Sequence, residues 1–177
     1  MPDGQVAARA IAQIRAFAKN ASAVPFFLAV GLHKPHLPHI APSQFFDLYS
    51  LTSISLPQPR KIPKRFPREQ WFACVEALSY PDWKQQADMY NFSIDTPLPS
   101  CVARLHRRAY YAALSYTDFQ FGTVLKELDS SVHLATNTVV VLWSDVRLHT
   151  MLHCSSCVTD YSYHMICDAA WLVPGRE

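Results

Sequence analysis

Apolar positions along the chain fall into two periods. Between residues 4 and 19, Ala7, Ile11, Ile14 and Ala18 recur at steps of three and four. That spacing gathers side chains on one helix face, and Asp3, just ahead of them, can cap the first turn. Val24 to Leu32 (VPFFLAVGL) is a nearly continuous apolar run. It is too short for most helices and suits a strand buried on both faces. Further on, Val102, Leu105, Ala109, Ala112, Tyr116 and Phe119 again step by three and four, which predicts a helix reaching about Leu128. Thr136 to Ser144 (TNTVVVLWS) is rich in valine and predicts a second buried strand. Helix followed by fully apolar strand is the pattern of an α/β layer.

The connecting stretches are set by proline. Residues 33–43, HKPHLPHIAPS, are broken by Pro35, Pro38 and Pro42, so they form a loop leaving the strand end rather than helix or interior strand. Residues 44–50 can make a short helix. Residues 51–70 are rich in proline and carry Arg60, Lys61, Lys64, Arg65 and Arg68, an excursion over the surface. Residues 71–100 show no clear period, and beyond Asp145 the alternation of strand and helix fades.

Composition narrows this picture. The chain has 177 residues, half of them apolar and 17% charged, a globular balance with enough length for one domain with its own core. Thirteen prolines against four glycines imply long ordered loops, because proline lacks the amide donor of ladders and helices. A net charge of +2 is too small to argue for nucleic acid. No apolar run approaches the roughly 18 residues of a membrane span, and the first twenty residues lack the unbroken apolar segment of a secretory signal. The five cysteines, at 74, 101, 154, 157 and 167, are an odd number and a poor disulfide framework.

In open α/β sheets ligands collect beyond the carboxyl ends of strands. His36 follows the first strand and Asp145 closes the second. A histidine there can bind an anion when protonated or act as acid or base, and a carboxylate there suits a hard cation. Taken alone, Asp145 reads more readily as a helix cap or turn residue, the three-histidine loop as polar surface, and the basic run 60–68 as solvated surface ahead of a face for an acidic partner such as a glycan. The tail holds a separate constellation. Cys154 and Cys157 form a CxxC pair, and His164 with Cys167 could complete four ligands for tetrahedral zinc.

Several segments, in order, resemble the sulfatase family. PFFLAVGLHKPHLP (25–38) resembles its strand and HKPH loop, RRAYYAALSYTDFQFGTVLKELD (107–129) its long helix, and NTVVVLWSD (137–145) the strand that ends in Ser-Asp-His-Gly. LVPGR (172–176) resembles a later strand end, and MPDGQ at the start an internal segment. Residues 1–145 are family-like, 146–169 divergent, and 170–177 weakly family-like. The resemblance implies an α/β, alkaline-phosphatase-like fold, a central sheet flanked by helices, of which this chain is a partial domain. It implies hydrolysis of sulfate esters at a centre of Ca²⁺ and a formylglycine made from cysteine. The implied substrate is sulfated iduronate in dermatan and heparan sulfate, a sulfated glycosaminoglycan, and the implied setting is lysosomal or exported. Carried over by position, His36 matches a sulfate-contacting histidine and Asp145 a calcium ligand. His33 and Lys34 shape the loop. Asn91-Phe92-Ser93 matches a glycosylation sequon, and Asn20-Ala21-Ser22 is a second sequon by pattern.

The departures are as specific as the matches. The formylglycine motif Cys-x-Pro-Ser-Arg occurs nowhere in the 177 residues. Nor do the family's Asp-Asp pair and its Lys/His pair. Val146 stands where the family has the histidine of Ser-Asp-His-Gly, and no lysine follows Lys126. A local shift of reading frame would account for residues 146–169, and would make the cysteine cluster accidental. One carboxylate cannot hold Ca²⁺, which takes about six to eight oxygens. The expectation is a chain that does not turn over sulfate esters on its own.

Overall fold

The computed structural model describes residues 1–19, 25–56, 79–91, 93, 96 and 99–144. The first element is α1 (Pro2–Lys19). Pro2 opens it at a position where a missing N–H has no intrahelical partner to lose. Ala7, Ala10 and Ile14 form its buried stripe, with Ile11, Phe17 and Ala18 flanking. Short α2 (Ser43–Phe46) follows the proline-rich loop. Next come α3 (Pro81–Met89), again with proline in its first turn, the long α4 (Ser100–Asp129), and α5 (Val132–Asn137). No helix among the described residues is long and apolar enough to cross a membrane.

Two compact units divide these elements. The first takes in the described residues within Met1–His36 and Leu114–Ser144, and the second those within Leu37–Ala113. Helix α4 contributes its N-terminal half to the second unit and its C-terminal half to the first.

The core of the first unit joins Ala7, Ala10 and Ile14 of α1 to Val124 and Leu128 of α4 and Leu134 of α5. Burying each of the larger aliphatic groups contributes roughly 1.5–3 kcal/mol. The extended segment 25–33 lays Phe26, Leu28 and Val30 on this core, and Val140 joins them from the extended segment 138–144. An exposed fork-to-fork ion pair, Arg15 to Glu127 at 2.8–2.9 Å, ties α1 to α4. Gly4 packs against α4. A β-carbon there would meet the Tyr116 hydroxyl at 3.0 Å.

In the second unit α4 reaches its neighbours through arginine. Arg108 donates from Nε and Nη2 to the Phe46 carbonyl at 3.0 and 2.9 Å, and Arg104 donates to the Ile54 carbonyl at 3.1 Å. Among the described residues the unit's buried apolar groups are Phe45, Ile54, Trp83, Val102, Ala103, Ala112 and Ala113.

Four expectations are narrowed or corrected by the structure. The two apolar runs are extended, but no ladder joins them among the described residues, where the only β pairing is the Ser93–Thr96 bridge. A central sheet is therefore not shown among the described residues. Nor are the runs buried on both faces. Exposure alternates along 25–33, with Phe26, Leu28 and Val30 on the core and Phe27 89% exposed, whereas in the second run only Val140 joins the core and 141–144 are all exposed, Trp143 at 65%. A strand at Thr136 is also excluded, because α5 continues through Asn137 and the Thr136 hydroxyl donates back to the Val132 carbonyl at 2.9 Å. On α4, Leu105 and Phe119 lie outside the buried stripe. The stripe instead takes in His106, Arg107, Thr117 and Gln120, polar groups that a count of apolar positions passes over.

Candidate functional site

The HKPH loop leaves segment 25–33 inside the first unit, and its conformation is set from outside itself. Asp3, expected to cap α1, turns its carboxylate to the loop instead. Oδ1 accepts the His33 N–H and Oδ2 the Lys34 N–H, both at 3.0 Å. Asp3 is 3% exposed, so these two bonds form where water competes little. From α4, the Thr117 hydroxyl donates to the Lys34 carbonyl at 2.9 Å. The Lys34 peptide is thus held at its amide by α1 and at its carbonyl by α4.

Within the loop, the His36 amide donates to the His33 carbonyl at 3.1 Å and closes a turn. The Lys34 ammonium donates to the His36 carbonyl at 3.0 Å. The turn brings the His33 and His36 rings to 4.8 Å between centroids, and both residues are exposed. Partial burial lowers the Lys34 pKa below the usual lysine value, and the nearby Asp3 charge opposes that shift. The arrangement offers an imidazole on a pinned turn, with a cation on the same backbone. An imidazolium so placed can donate to an oxyanion.

A second polar cluster lies in the other unit. The His106 ring stacks on Trp83 with centroids 3.3 Å apart and lies 3.2 Å from Gln86 Oε1. Burial, with a smaller contribution from His39, pushes His106 down to about 3. Arg107 is buried and donates from Nη2 to the Tyr111 hydroxyl at 2.6 Å. Its Nε and Nη1 have no hydrogen-bond partner among the described residues.

Of the residues singled out in the sequence, His36 is placed on the pinned turn. Asn91 is exposed in the turn after α3, with φ of 47°, a left-handed conformation that asparagine tolerates better than most residues. Asp145, Asn20, the basic run 60–68 and the proposed zinc ligands Cys154, Cys157, His164 and Cys167 lie outside the described residues. Among the described residues no three His, Cys, Asp or Glu side chains come together as metal ligands. The described residues do not fit a calcium site. The contributions of Asp3 and Thr117 were not legible in the sequence. Each acts across a separation of 30 residues or more, with no local pattern to mark it.

Comparison with known proteins bears on the same segments. Residues 1–151 match the Sulfatase family. The chain is 35% identical over 151 residues to iduronate 2-sulfatase of Mus musculus and 34% identical over 151 residues to that of Homo sapiens. Each match covers 82% of this chain and 25% of the relative. A protein described as a sulfatase from Formosa agariphila is 32% identical over 135 residues, covering 68% of this chain and 22% of its own length. The chain thus spans about a quarter of the length of the curated relatives it matches. With the family matched over most of its length and the HKPH turn seated on α1 and α4, the chain belongs to the sulfatase family.

Proposed function

We propose that this chain carries a sulfate-contacting part of a sulfuric ester hydrolase whose substrate is a sulfated sugar of the iduronate type. The observation that carries the reading is the pinned HKPH turn. It presents the exposed His36 ring from a backbone tied to Asp3 and Thr117. An imidazolium there would donate to a sulfate oxygen and offset charge on the transferring group, the electrostatic role expected at such a centre. Similarity to iduronate 2-sulfatases of mouse and human supports the substrate class. A lysosomal or exported setting follows from the resemblance alone.

The 177-residue polypeptide holds no Cys-x-Pro-Ser-Arg segment. The proposal therefore assigns it binding without turnover, since the covalent route has no nucleophile. The test is equilibrium binding of sulfated iduronate against the same sugar without sulfate, with hydrolysis of an aryl sulfate followed in parallel. The reading expects the sulfated sugar to bind more tightly, the preference to vanish in His36→Ala, and no turnover. Equal affinity for both sugars would remove the sulfate-contact reading. Turnover above the His36→Ala background would remove the claim of inactivity.

A further inference from the structure

An aspartate in the first turn of a helix ordinarily serves that helix, accepting from its free amides or offsetting its dipole. Asp3 turns both oxygens to another segment. Both are taken by amides 30 and 31 residues further along the chain, and the carboxylate is buried at 3% exposure. A buried carboxylate bonded at both oxygens fixes a plane, and therefore the orientation of both peptide units it holds.

We propose that Asp3 is a positioning residue for His36, and that binding of a sulfate group at that ring depends on it. This rests on the reading of His36 as a sulfate contact. The route is short. Asp3 holds the His33 N–H, and the His33 carbonyl accepts the His36 amide at 3.1 Å. Asp3 also holds the Lys34 N–H, while the Lys34 ammonium donates to the His36 carbonyl. The backbone on both sides of the His36 ring is thus referred to one carboxylate on α1. An imidazole fixed before the ligand arrives loses little freedom on binding, whereas one on an unpinned loop must first be ordered. Removing the carboxylate leaves the His33 and Lys34 amides without this acceptor and frees the turn, with the chemistry of the ring unchanged.

The experiment uses the full 177-residue chain, inorganic sulfate as probe, and the variants Asp3→Ala, Asp3→Asn and His36→Ala. Two quantities are read by NMR: hydrogen exchange at the His33 and Lys34 amides without ligand, and the sulfate midpoint at the His36 ring. In Asp3→Ala the two amides lose protection and the sulfate midpoint weakens roughly tenfold or more, while amides at Ala112 and Ala113 stay protected. Asp3→Asn keeps one acceptor oxygen and falls between. It decides the matter by the same readings if Asp3→Ala fails to fold. An unchanged sulfate midpoint in a folded variant overturns the proposal, as do unchanged exchange rates at His33 and Lys34. A wild-type His36 ring that ignores sulfate overturns instead the functional reading on which it rests, and the exchange rates then judge the Asp3 hold separately.

Discussion

The Thr117 hydroxyl donates to the Lys34 carbonyl at 2.9 Å across 83 residues, joining the middle of α4 to the loop that bears His36. Thr117 is buried, so its replacement leaves a carbonyl with one acceptor bond fewer in a poorly hydrated setting. Thr117→Val, which keeps the shape and removes the hydroxyl, is expected to cost about 1–2 kcal/mol in denaturant unfolding. An unchanged midpoint would mean that the loop is held by Asp3 alone.

His106 predicts a pH dependence. Its folded-state pKa is pushed to about 3, chiefly by burial, from a usual value of 6.5. Between those values the unfolded chain binds a proton that the folded chain does not. Stability is therefore full above about pH 6.5 and declines as pH falls toward about 3, by up to a few kcal/mol at most. His106→Phe retains a ring against Trp83 and removes the titrating group. Unfolding midpoints measured from pH 7 to pH 4 should fall less steeply in that variant. Parallel slopes for the two proteins would contradict the assignment.

Arg107 predicts a gain. Two of its buried donor atoms have no hydrogen-bond partner among the described residues, and each such group costs about 1–3 kcal/mol relative to hydration. Replacing a buried charge by an apolar group of similar length is often neutral or stabilising. Arg107→Met should leave thermal stability unchanged or raise it. A loss of several kcal/mol would show that the bond to Tyr111 and the packing of the guanidinium outweigh the unsatisfied donors.

The helices were largely legible in the sequence. The steps of Ala7, Ile11, Ile14 and Ala18 marked α1 within two residues at its start. The run from Val102 to Leu128 marked α4, which extends two residues before it and one after. Local periodicity suffices there because each helix buries one stripe. It failed at Leu105 and Phe119, because the buried stripe of α4 carries His106, Arg107, Thr117 and Gln120. Membership in the sulfatase family implies the alkaline-phosphatase-like α/β fold. The run around Phe27 has the alternating exposure of a strand and the run around Val139 keeps it only to Val140, yet no ladder joins them among the described residues. Pairing is a non-local property, and an apolar run marks a strand without naming its neighbours. The loop bearing His36 was placed correctly by Pro35 and Pro38. Its fastening was not, since Asp3 read as an ordinary helix cap.

The central claim is that His36 receives sulfate. The most direct measurement follows the His36 ring resonances by NMR as inorganic sulfate is added, with chloride at matched ionic strength as reference. The account predicts a saturable shift at His36 that chloride does not reproduce and that leaves the Asn91 region undisturbed. A His36 ring equally indifferent to sulfate and chloride would contradict it.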